Sequence, residues 1–269
     1  MADLKPEGYR HSADIWEVLF QMKERERPVM AQVGAIDFVD GKPVWVLAFP
    51  GYPDNIKGYV PESETGVESL LVARFVGQDV LVLIKGLDRQ NNLVACSRRQ
   101  LVERAREEVS GQFNIGDIIP VAVKAVLLDE QMHSSLVVDV GGGYLLQMPR
   151  AQAVTRLAVP LRQQYTVGQT VDARVIGLEP LAVSIRAARP NPWTVADFKR
   201  GQYISGTVYR IIDERGHVLI EPDLCPGILG LTSVPLLGNL IRGDRVTCKV
   251  YNFSAELKRL HLSIVRIIK

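Results

Sequence analysis

The sequence is poor in the residues on which most catalytic and metal-binding sites depend. It holds three cysteines and four histidines, and no two cysteines have the Cys-x-x-Cys spacing of a zinc or redox site. Three such thiols indicate structural cysteines in a reducing compartment, so we expect a cytoplasmic protein. The sequence also has no Gly-x-Ser-x-Gly elbow, no His-Glu-x-x-His helix and no Gly-Lys-Ser/Thr phosphate loop. It therefore predicts no catalytic residues, no metal and no cofactor.

Long apolar runs and a strong overall charge are missing as well. No stretch approaches the length of a membrane span. The first nine residues carry both charge signs and no apolar run, so we expect neither a signal peptide nor membrane association. The formal net charge is +2 and aromatic residues make up 7% of the chain. Hydrophobic residues, in contrast, make up 47%, which is enough to fill the cores of one to three domains.

Short β-strands dominate what is present, most clearly between residues 201 and 266. This stretch contains five apolar or β-branched pieces, each of which is bounded by Gly, Pro, Asp or Asn. Such pieces are typical of short antiparallel strands. Five of them in so short a stretch favour a small closed barrel, which leaves no sheet edge free.

The same order of pieces occurs twice more upstream. The clearest markers are Val76-Gly-Gln-x-Val80, Val167-Gly-Gln-x-Val171 and Arg242-Gly-Asp-x-Val246. In each marker a glycine and a polar residue precede a strand. Because the markers are far apart and unevenly spaced, they indicate three related domains rather than a tight solenoid.

These motifs resemble those of S1-type RNA-binding domains of the OB fold. Gly58-Tyr-Val-Pro61 and Val76-Gly77 fit the family pattern in the first copy, and Gly206-x-Val208, Gly230-Leu231 and Lys258-Arg-Leu-His-Leu-Ser263 fit it in the third. The second copy is divergent, because Glu179-Pro180 leaves almost no turn before its last strand. The chain is similar to a shortened member of the ribosomal protein S1 family.

The resemblance implies an all-β fold of three tandem five-stranded OB-fold (S1-like) barrels, with an N-terminal helix and a helical linker. We expect four segments. They are the helical segment 1–27, the first OB domain with its linker helix 28–110, the divergent second OB domain 111–188 and the third OB domain 189–269.

The segments outside the barrels have their own patterns. Ser12 to Arg25 predicts a helix whose apolar stripe packs on the first barrel or, alternatively, binds a partner. Arg98 to Val109 predicts the linker helix. The proline-rich stretch from Arg189 to Trp193 predicts an extended, semi-rigid second linker, with Trp193 and Phe198 docked on a neighbouring barrel.

The resemblance also implies where RNA binds. OB barrels stack bases on aromatic rings and hold phosphates with cations. Trp45 and Phe49 share one face of a strand by the period-two rule, and that face is either the core or a stacking surface. Arg215 and Val218 occupy the positions of the family's two exposed Phe residues. The candidate RNA-binding residues are Trp45, Phe49, Tyr59, Arg98, Arg99, Tyr203, Tyr209, His217, Arg245, Lys249, Lys258 and Arg259.

The positive charge is concentrated in the third copy. From Arg189 onward there are 12 Lys and Arg residues against 7 Asp and Glu residues, a net charge of +5. The three earlier segments are each neutral or weakly acidic. Phosphate contacts dominate nucleic-acid affinity, so the third copy is the leading candidate for backbone binding. The alternative is that these arginines solvate the barrel surface.

Together these features predict a non-enzymatic protein that binds single-stranded RNA and acts on mRNA, translation or RNA turnover. Single-stranded DNA is a second candidate ligand, and the ribosome or RNA-processing proteins are candidate partners. The alternative is a protein-interaction adaptor built from S1-like barrels that have lost RNA binding. The acidic residues Glu62, Glu64 and Glu68 of the first copy favour that alternative.

Overall fold

The computed structural model describes residues 15–51, 55–128, 134–212, 217–233 and 240–268. The chain divides into two compact units. The first comprises residues up to 112 together with 139–145, and the second comprises residues 113–138 and 146–269. Ser12 and Arg215, which the sequence analysis singles out, lie outside the described residues.

The first sheet is a closed five-stranded barrel. Its strands are β1 (Val29–Val39), β2 (Lys42–Ala48), β3 (Lys57–Pro61), β4 (Asp79–Asp88) and β5 (Leu93–Ser97). Their order is β1-β2-β3-β5-β4, and β1 closes the barrel by pairing with β4. Burial alternates over the first five residues of β1, where Val29, Ala31 and Val33 face the core. This is the period of two that a strand imposes on its side chains.

Three helices accompany this barrel. They are α1 (Ile15–Glu24), α2 (Ser69–Val72), which two 3₁₀ turns flank, and α3 (Arg99–Gln112). Helix α1 packs against β4 and buries Leu19 completely. The predicted packing of the N-terminal helix on the first barrel is therefore confirmed. Helix α3 is the predicted linker helix, and it buries Ala105 and Val109.

The second sheet has the same strand order but is open. Its strands are β6 (Ile118–Leu128), β7 (Ser134–Asp139), β8 (Leu145–Pro149), β9 (Thr170–Leu178) and β10 (Leu181–Ser184). The order β10-β9-β6-β7-β8 is that of the barrel, opened between its third and fifth strands. The expected closure of the second copy is thus not found in the described residues. Strand β10 is four residues long and passes directly into a helix at Ile185.

Short helices follow the strands of the second sheet. They are α4 (Arg150–Ala153), α5 (Leu161–Gln164) and α6 (Ile185–Ala188). Helices α4 and α6 directly follow β8 and β10, and they pack against each other. The apolar side chains of the sheet are buried as in a barrel; Val121, Val123, Leu136 and Val175 are examples.

The third sheet is again a closed barrel, preceded by α7 (Pro192–Val195). Its strands are β11 (Tyr203–Ile211), β12 (His217–Pro222), β13 (Gly230–Ser233), β14 (Arg245–Ser254) and β15 (Arg259–Ile268), in the order β11-β12-β13-β15-β14. Three five-stranded sheets with this order confirm the predicted tandem OB-fold class. The domain limits given above stay a prediction.

The second linker is extended at Arg189 and Asn191, as predicted, and becomes helical only from Pro192. It forms the single turn α7, because Pro192 occupies the first helical position and the Asn191 side chain accepts a hydrogen bond from the Trp193 backbone N–H at 3.1 Å. Trp193 then stacks parallel to Phe253 with the ring centroids 6.2 Å apart. Phe198 meets the same ring edge-on at 5.2 Å. The predicted docking of Trp193 and Phe198 is confirmed, and the barrel they dock on is the third.

Two acidic residues join the second sheet to the third barrel within the second unit. The carboxylate of Glu221, 2% exposed, accepts hydrogen bonds from the backbone N–H groups of Leu157 (2.7 Å), Ala158 (2.6 Å) and Gly227 (2.8 Å). Asp223 forms an ion pair with Arg156 at 3.0 Å. Because a buried carboxylate must find donors, these contacts hold the loop around Leu157 against β12.

Close packing explains two of the motif glycines. A Cβ on Gly206 would lie 2.8 Å from the backbone oxygen of Glu221, and one on Gly58 would lie 2.9 Å from the ring of Phe49. Neither distance leaves room for a side chain, so glycine is the residue that fits at both positions. Across the stretches that the structure describes, no helix is both long and apolar enough to cross a membrane.

Candidate nucleic-acid interface

The outer face of β11 and β14 carries exposed aromatic rings beside cations. Tyr203 on β11 is 61% exposed and lies opposite Lys249 on β14. Tyr251, two residues further along β14, is 63% exposed. Diagonal neighbours on one face of a sheet lie about 7–8 Å apart. Tyr203 and Tyr251 are thus diagonal neighbours on one solvent-facing surface.

Each of these rings has a cation over it. The Lys249 ammonium lies 5.7 Å from the centroid of the Tyr203 ring, and the Arg200 guanidinium lies 5.5 Å from that of Tyr251. Cation–π contacts of this kind at exposed sites are worth about 0.5–1 kcal/mol. They steady the rings while the charges remain in solvent. We call Arg200, Tyr203, Lys249 and Tyr251 the tyrosine surface.

The alternation of the strands produces this surface. Ile204, Val246, Cys248 and Val250 point inward and are buried in the core of the third barrel. Their neighbours Tyr203, Lys249 and Tyr251 must then point outward. Behind the end of β14, Phe253 is wedged between Trp193 and Phe198, so the strand that carries Tyr251 is firmly anchored.

A third ring–cation pair lies toward the other end of β11. Tyr209 is half-buried, and the Arg242 guanidinium lies 5.8 Å from its ring centroid. Arg242 is exposed and precedes Gly243, whose N–H donates to the Val208 carbonyl. The loop that leads into β14 therefore delivers a cation to the outer side of β11.

The remaining candidates of the third barrel lie on β12 and β15. His217 is half-buried at the start of β12. Leu219, Leu231 and His261 form one cross-strand row over β12, β13 and β15. Lys258 and Arg259 are exposed in the turn before β15 and at its start. His217 pairs with Ser233 on β13, whereas Arg259 pairs with Ser254 on β14, so these candidates are spread over different strands.

Arg245 is committed to a carboxylate. Its two terminal nitrogens donate to the two oxygens of Asp223 at 3.0 and 2.6 Å. A bidentate pair of this kind occupies the two terminal nitrogens with which an arginine holds a phosphate. Arg245 therefore contributes less to the candidate interface than its position in the sequence suggests.

In the first barrel, two predicted stacking residues belong to the core. Trp45 is 0% exposed, its indole N–H donates to the Val72 carbonyl at 2.9 Å, and its ring packs on Phe75. Phe49 is also buried and covers Gly58. A base cannot stack on either ring, so both leave the candidate set. Tyr59, in contrast, is half-buried and lies between Val46 and Ala95 on the outer face.

Arg98 is likewise a structural residue. It is 3% exposed and donates to the carbonyls of Thr65 (3.0 Å) and Gly143 (2.9 Å). Burial lowers the pKa of its guanidinium to about 10, partly offset by the nearby Asp139. Its contacts within the first unit leave no face for a phosphate. Arg99 is exposed but forms an i,i+4 ion pair with Glu103 at 2.9 Å.

Three residues of the interface are missed by the sequence analysis: Arg200, Arg242 and Tyr251. The signal for Tyr251 is in the sequence, because Val246, Cys248 and Val250 alternate with Lys249 and Tyr251. The two arginines lie in loops, where no periodicity predicts which ring they approach.

The titratable groups do not suggest redox or metal chemistry. Burial raises the pKa of the Cys96 and Cys248 thiols to about 12, so both stay neutral and poorly nucleophilic at neutral pH. Within the described residues, no three His, Cys, Asp or Glu side chains come together as a metal site.

The chain is similar to ribosomal proteins. It is 27% identical to small ribosomal subunit protein bS1 of Streptococcus pneumoniae (strain R6) over 235 residues, covering 78% of this chain and 55% of that protein. It is 23% identical to bS1 of Mycolicibacterium smegmatis over 267 residues, covering 93% of this chain and 52% of the relative. The chain thus spans about half the length of these curated relatives. No protein-family model matches it.

The solved structures to which the chain is similar are remote. One is a multidomain protein with nucleic acid binding domains from Streptococcus pneumoniae TIGR4, with 12% identity, a TM-score of 0.26, and coverage of 89% of this chain and 73% of that one. Another is the Drosophila Unr fragment CSD456, with 15% identity, a TM-score of 0.20, and coverage of 90% and 97%.

Proposed function

We propose that this chain, a relative of the bS1 ribosomal proteins built from tandem S1-type sheets, binds single-stranded RNA and is not an enzyme. The third barrel is the main contact, through the tyrosine surface and the exposed cations around it. Tyr59 of the first barrel adds a further ring. The proposal extends to a role in the cytoplasm, in translation of mRNA or in RNA turnover, with the ribosome or RNA-processing proteins as partners.

One observation carries this proposal: Tyr203 and Tyr251 are exposed, adjacent and each covered by a cation. Stacking of a base on an aromatic ring is worth about 1–3 kcal/mol, and cations along the same path hold the phosphates. An unstacked single strand can present its bases to such rings, whereas a duplex hides them. The arrangement suits single strands of either RNA or DNA. A protein distinguishes the two only where one of its donors or acceptors reaches the 2′-hydroxyl of RNA.

A direct test measures the affinity of a fluorescein-labelled oligouridylate of about 20 nucleotides by anisotropy. Replacing Tyr203 and Tyr251 together by Ala removes two stacking positions. At about 1–3 kcal/mol for each ring, the affinity should fall by at least about 30-fold, which corresponds to roughly 2 kcal/mol or more. Phe38→Ala is the matched control, because it removes an exposed ring from the first barrel. If the wild-type protein binds no oligonucleotide at low salt, the proposal is wrong.

A second function is favoured by one observation on the first barrel. Met30 and Leu81 lie opposite each other on β1 and β4 and are both exposed. An apolar pair of this kind can anchor a protein partner. In that case the chain is an adaptor, and a stable protein partner should co-purify after nuclease treatment. Met30→Lys should abolish that interaction and leave the oligouridylate affinity unchanged.

A further inference from the structure

A cleft lies where the second sheet meets the third barrel, within the second unit. Its volume is about 270 Å³. Val154 contributes to it from the loop after α4, Pro192 and Val195 from α7, and Leu224 from the loop after β12. Arg186, on α6, and Arg189, the first residue after α6, complete the rim of the cleft. We call this site the junction cleft.

The junction cleft combines apolar walls with two positive charges. Arg186 and Arg189 are both exposed and both line the cleft, so two cationic side chains border the same site. The described residues that line the cleft include no acidic side chain. The site is therefore suited to a ligand with an apolar body and a negative group.

The volume limits the size of that ligand. Pockets for small molecules usually measure about 300–1,000 Å³, so a cleft of about 270 Å³ suits one flat ring system rather than a whole cofactor. The walls of the cleft expose apolar surface to solvent; the Leu224 side chain, for example, is 64% exposed. A nucleobase joined to a phosphate meets both requirements. An arginine guanidinium can also stack on a base through its plane.

The cleft is close to the tyrosine surface along the chain. Pro192 lines the cleft, and the next residue, Trp193, stacks on Phe253. Phe253 lies two residues after Tyr251 on β14. One helical turn thus separates the cleft from the strand that carries the tyrosine surface. OB folds contact about 4–16 nucleotides each, so a strand bound to the rings is long enough to reach the cleft.

We propose that the junction cleft binds one nucleotide of the single-stranded RNA held by the third barrel. This inference rests on the function proposed above. The base enters between Pro192, Val195 and Leu224, and its phosphate binds Arg186 and Arg189. The second sheet then contributes directly to RNA binding, although its formal charge is zero. Glu221 supports the site by fixing the loop around Leu157 to the third barrel.

The first experiment compares the salt dependence of binding. The double variant Arg186→Ala/Arg189→Ala removes the two charges, and Arg162→Ala removes an equally exposed arginine of α5 as the matched control. Each phosphate contact to a single strand contributes about 0.7 to the slope of log K against log salt. The slope should become shallower by about 0.7–1.4 in the double variant. The control should keep the wild-type slope.

The second experiment tests occupancy of the cleft itself. Leu224→Cys introduces an exposed thiol at the cleft, and Arg162→Cys introduces one elsewhere on the second sheet. An oligouridylate of about 20 nucleotides should slow maleimide labelling of Leu224→Cys by at least about fivefold, whereas one of about four nucleotides, held by the rings alone, should not. Labelling of Arg162→Cys should be unaffected by either oligonucleotide.

The outcomes separate the two proposals. If the wild-type chain binds no RNA, the proposed function fails and the cleft proposal fails with it. If the wild-type chain binds RNA but neither the slope nor the labelling changes, the proposed function stands and the cleft proposal is overturned. If an acidic peptide protects Leu224→Cys and RNA does not, the cleft is a protein-binding site, which also overturns the proposal.

Discussion

At the scale of single residues, the side of the strand decides what an aromatic ring can do. Trp45 lies on β2 and Tyr251 on β14, and both strands belong to closed barrels. Trp45 is nevertheless fully buried, whereas Tyr251 is 63% exposed. Trp45 satisfies its indole N–H internally, on the Val72 carbonyl. Tyr251 instead offers its ring to solvent beside Arg200. The first ring stabilises the fold, and the second is available to a ligand.

The first prediction follows from the burial of Trp45. Trp45→Phe removes the hydrogen bond to Val72 and leaves a small void, so the free energy of unfolding should fall by about 1.5–3 kcal/mol. Urea denaturation followed by circular dichroism measures this change. The affinity for oligouridylate should stay within about twofold of the wild type, because the ring touches no ligand.

Phe38→Ala provides the control, since Phe38 is exposed and its loss should change stability by less than about 0.5 kcal/mol. A Trp45→Phe variant with normal stability and much weaker RNA binding would show that Trp45 belongs to the interface after all.

At the scale of strands and turns, close backbone approach sets where glycine is required. Gly206 on β11 faces the backbone of β12, and the Glu221 oxygen is 2.8 Å from the position of a Cβ. In contrast, a Cβ on Gly34 would meet its nearest atom, the Val46 oxygen, at 3.6 Å. The Gly-x-Val motif of the third copy therefore reflects packing between two strands of the barrel.

The second prediction compares these two glycines. Gly206→Ala must displace backbone and should destabilise the third barrel by about 1–3 kcal/mol. Gly34→Ala meets no clash and should be neutral or slightly stabilising, because alanine restricts the unfolded chain. Thermal denaturation of both variants measures the difference. Equal melting temperatures would contradict the proposed packing role of Gly206.

The third prediction concerns the loop contact made by Glu221. Glu221→Gln replaces one acceptor oxygen by an NH₂ group that faces backbone donors, which should weaken the contact by about 1–3 kcal/mol. Hydrogen exchange should then become faster at the amides of Leu157, Ala158 and Gly227. Glu256→Gln, in the exposed turn before β15, should leave these amides unchanged. Unaltered exchange in Glu221→Gln would show that the carboxylate does not hold the loop.

At the scale of the whole molecule, the charge distribution matters more than the net charge. The chain carries +2 overall, but +5 from Arg189 onward. Two of the acidic residues in that part, Glu221 and Asp223, are engaged in the contact with the second sheet. The outer face of β11 and β14 is left with cations beside exposed rings. This is the pattern expected for a surface that binds a polyanion such as RNA.

The fourth prediction is the salt dependence that this distribution produces. About four phosphate contacts give a slope near −3 in log K against log salt, or roughly a 50-fold loss of affinity between about 50 and 200 mM salt. Lys249→Ala should reduce the slope by about 0.7, and Lys42→Ala on the first barrel should not change it. A slope close to zero would contradict phosphate binding by the third barrel.

Much of the architecture could be predicted from local patterns. The fifteen strands of the described residues follow the predicted three repeats of five pieces, because alternation and turn residues are local properties of a chain. The charge of the third copy is also a property of the sequence alone. The roles of Trp45, Phe49 and Arg98 could not be predicted in this way. The period-two rule shows that side chains share a face, but it does not show which face is buried.

The sequence by itself therefore determined the strands, their threefold repetition and the basic character of the last domain, since each depends on residues close together in the chain. Only the tertiary structure decided which rings are exposed, which arginines are engaged and that the second sheet shares a cleft with the third barrel. Those features depend on contacts between residues far apart in sequence, such as Arg245 with Asp223 and Leu157 with Glu221. Burial and charge pairing arise when such segments meet.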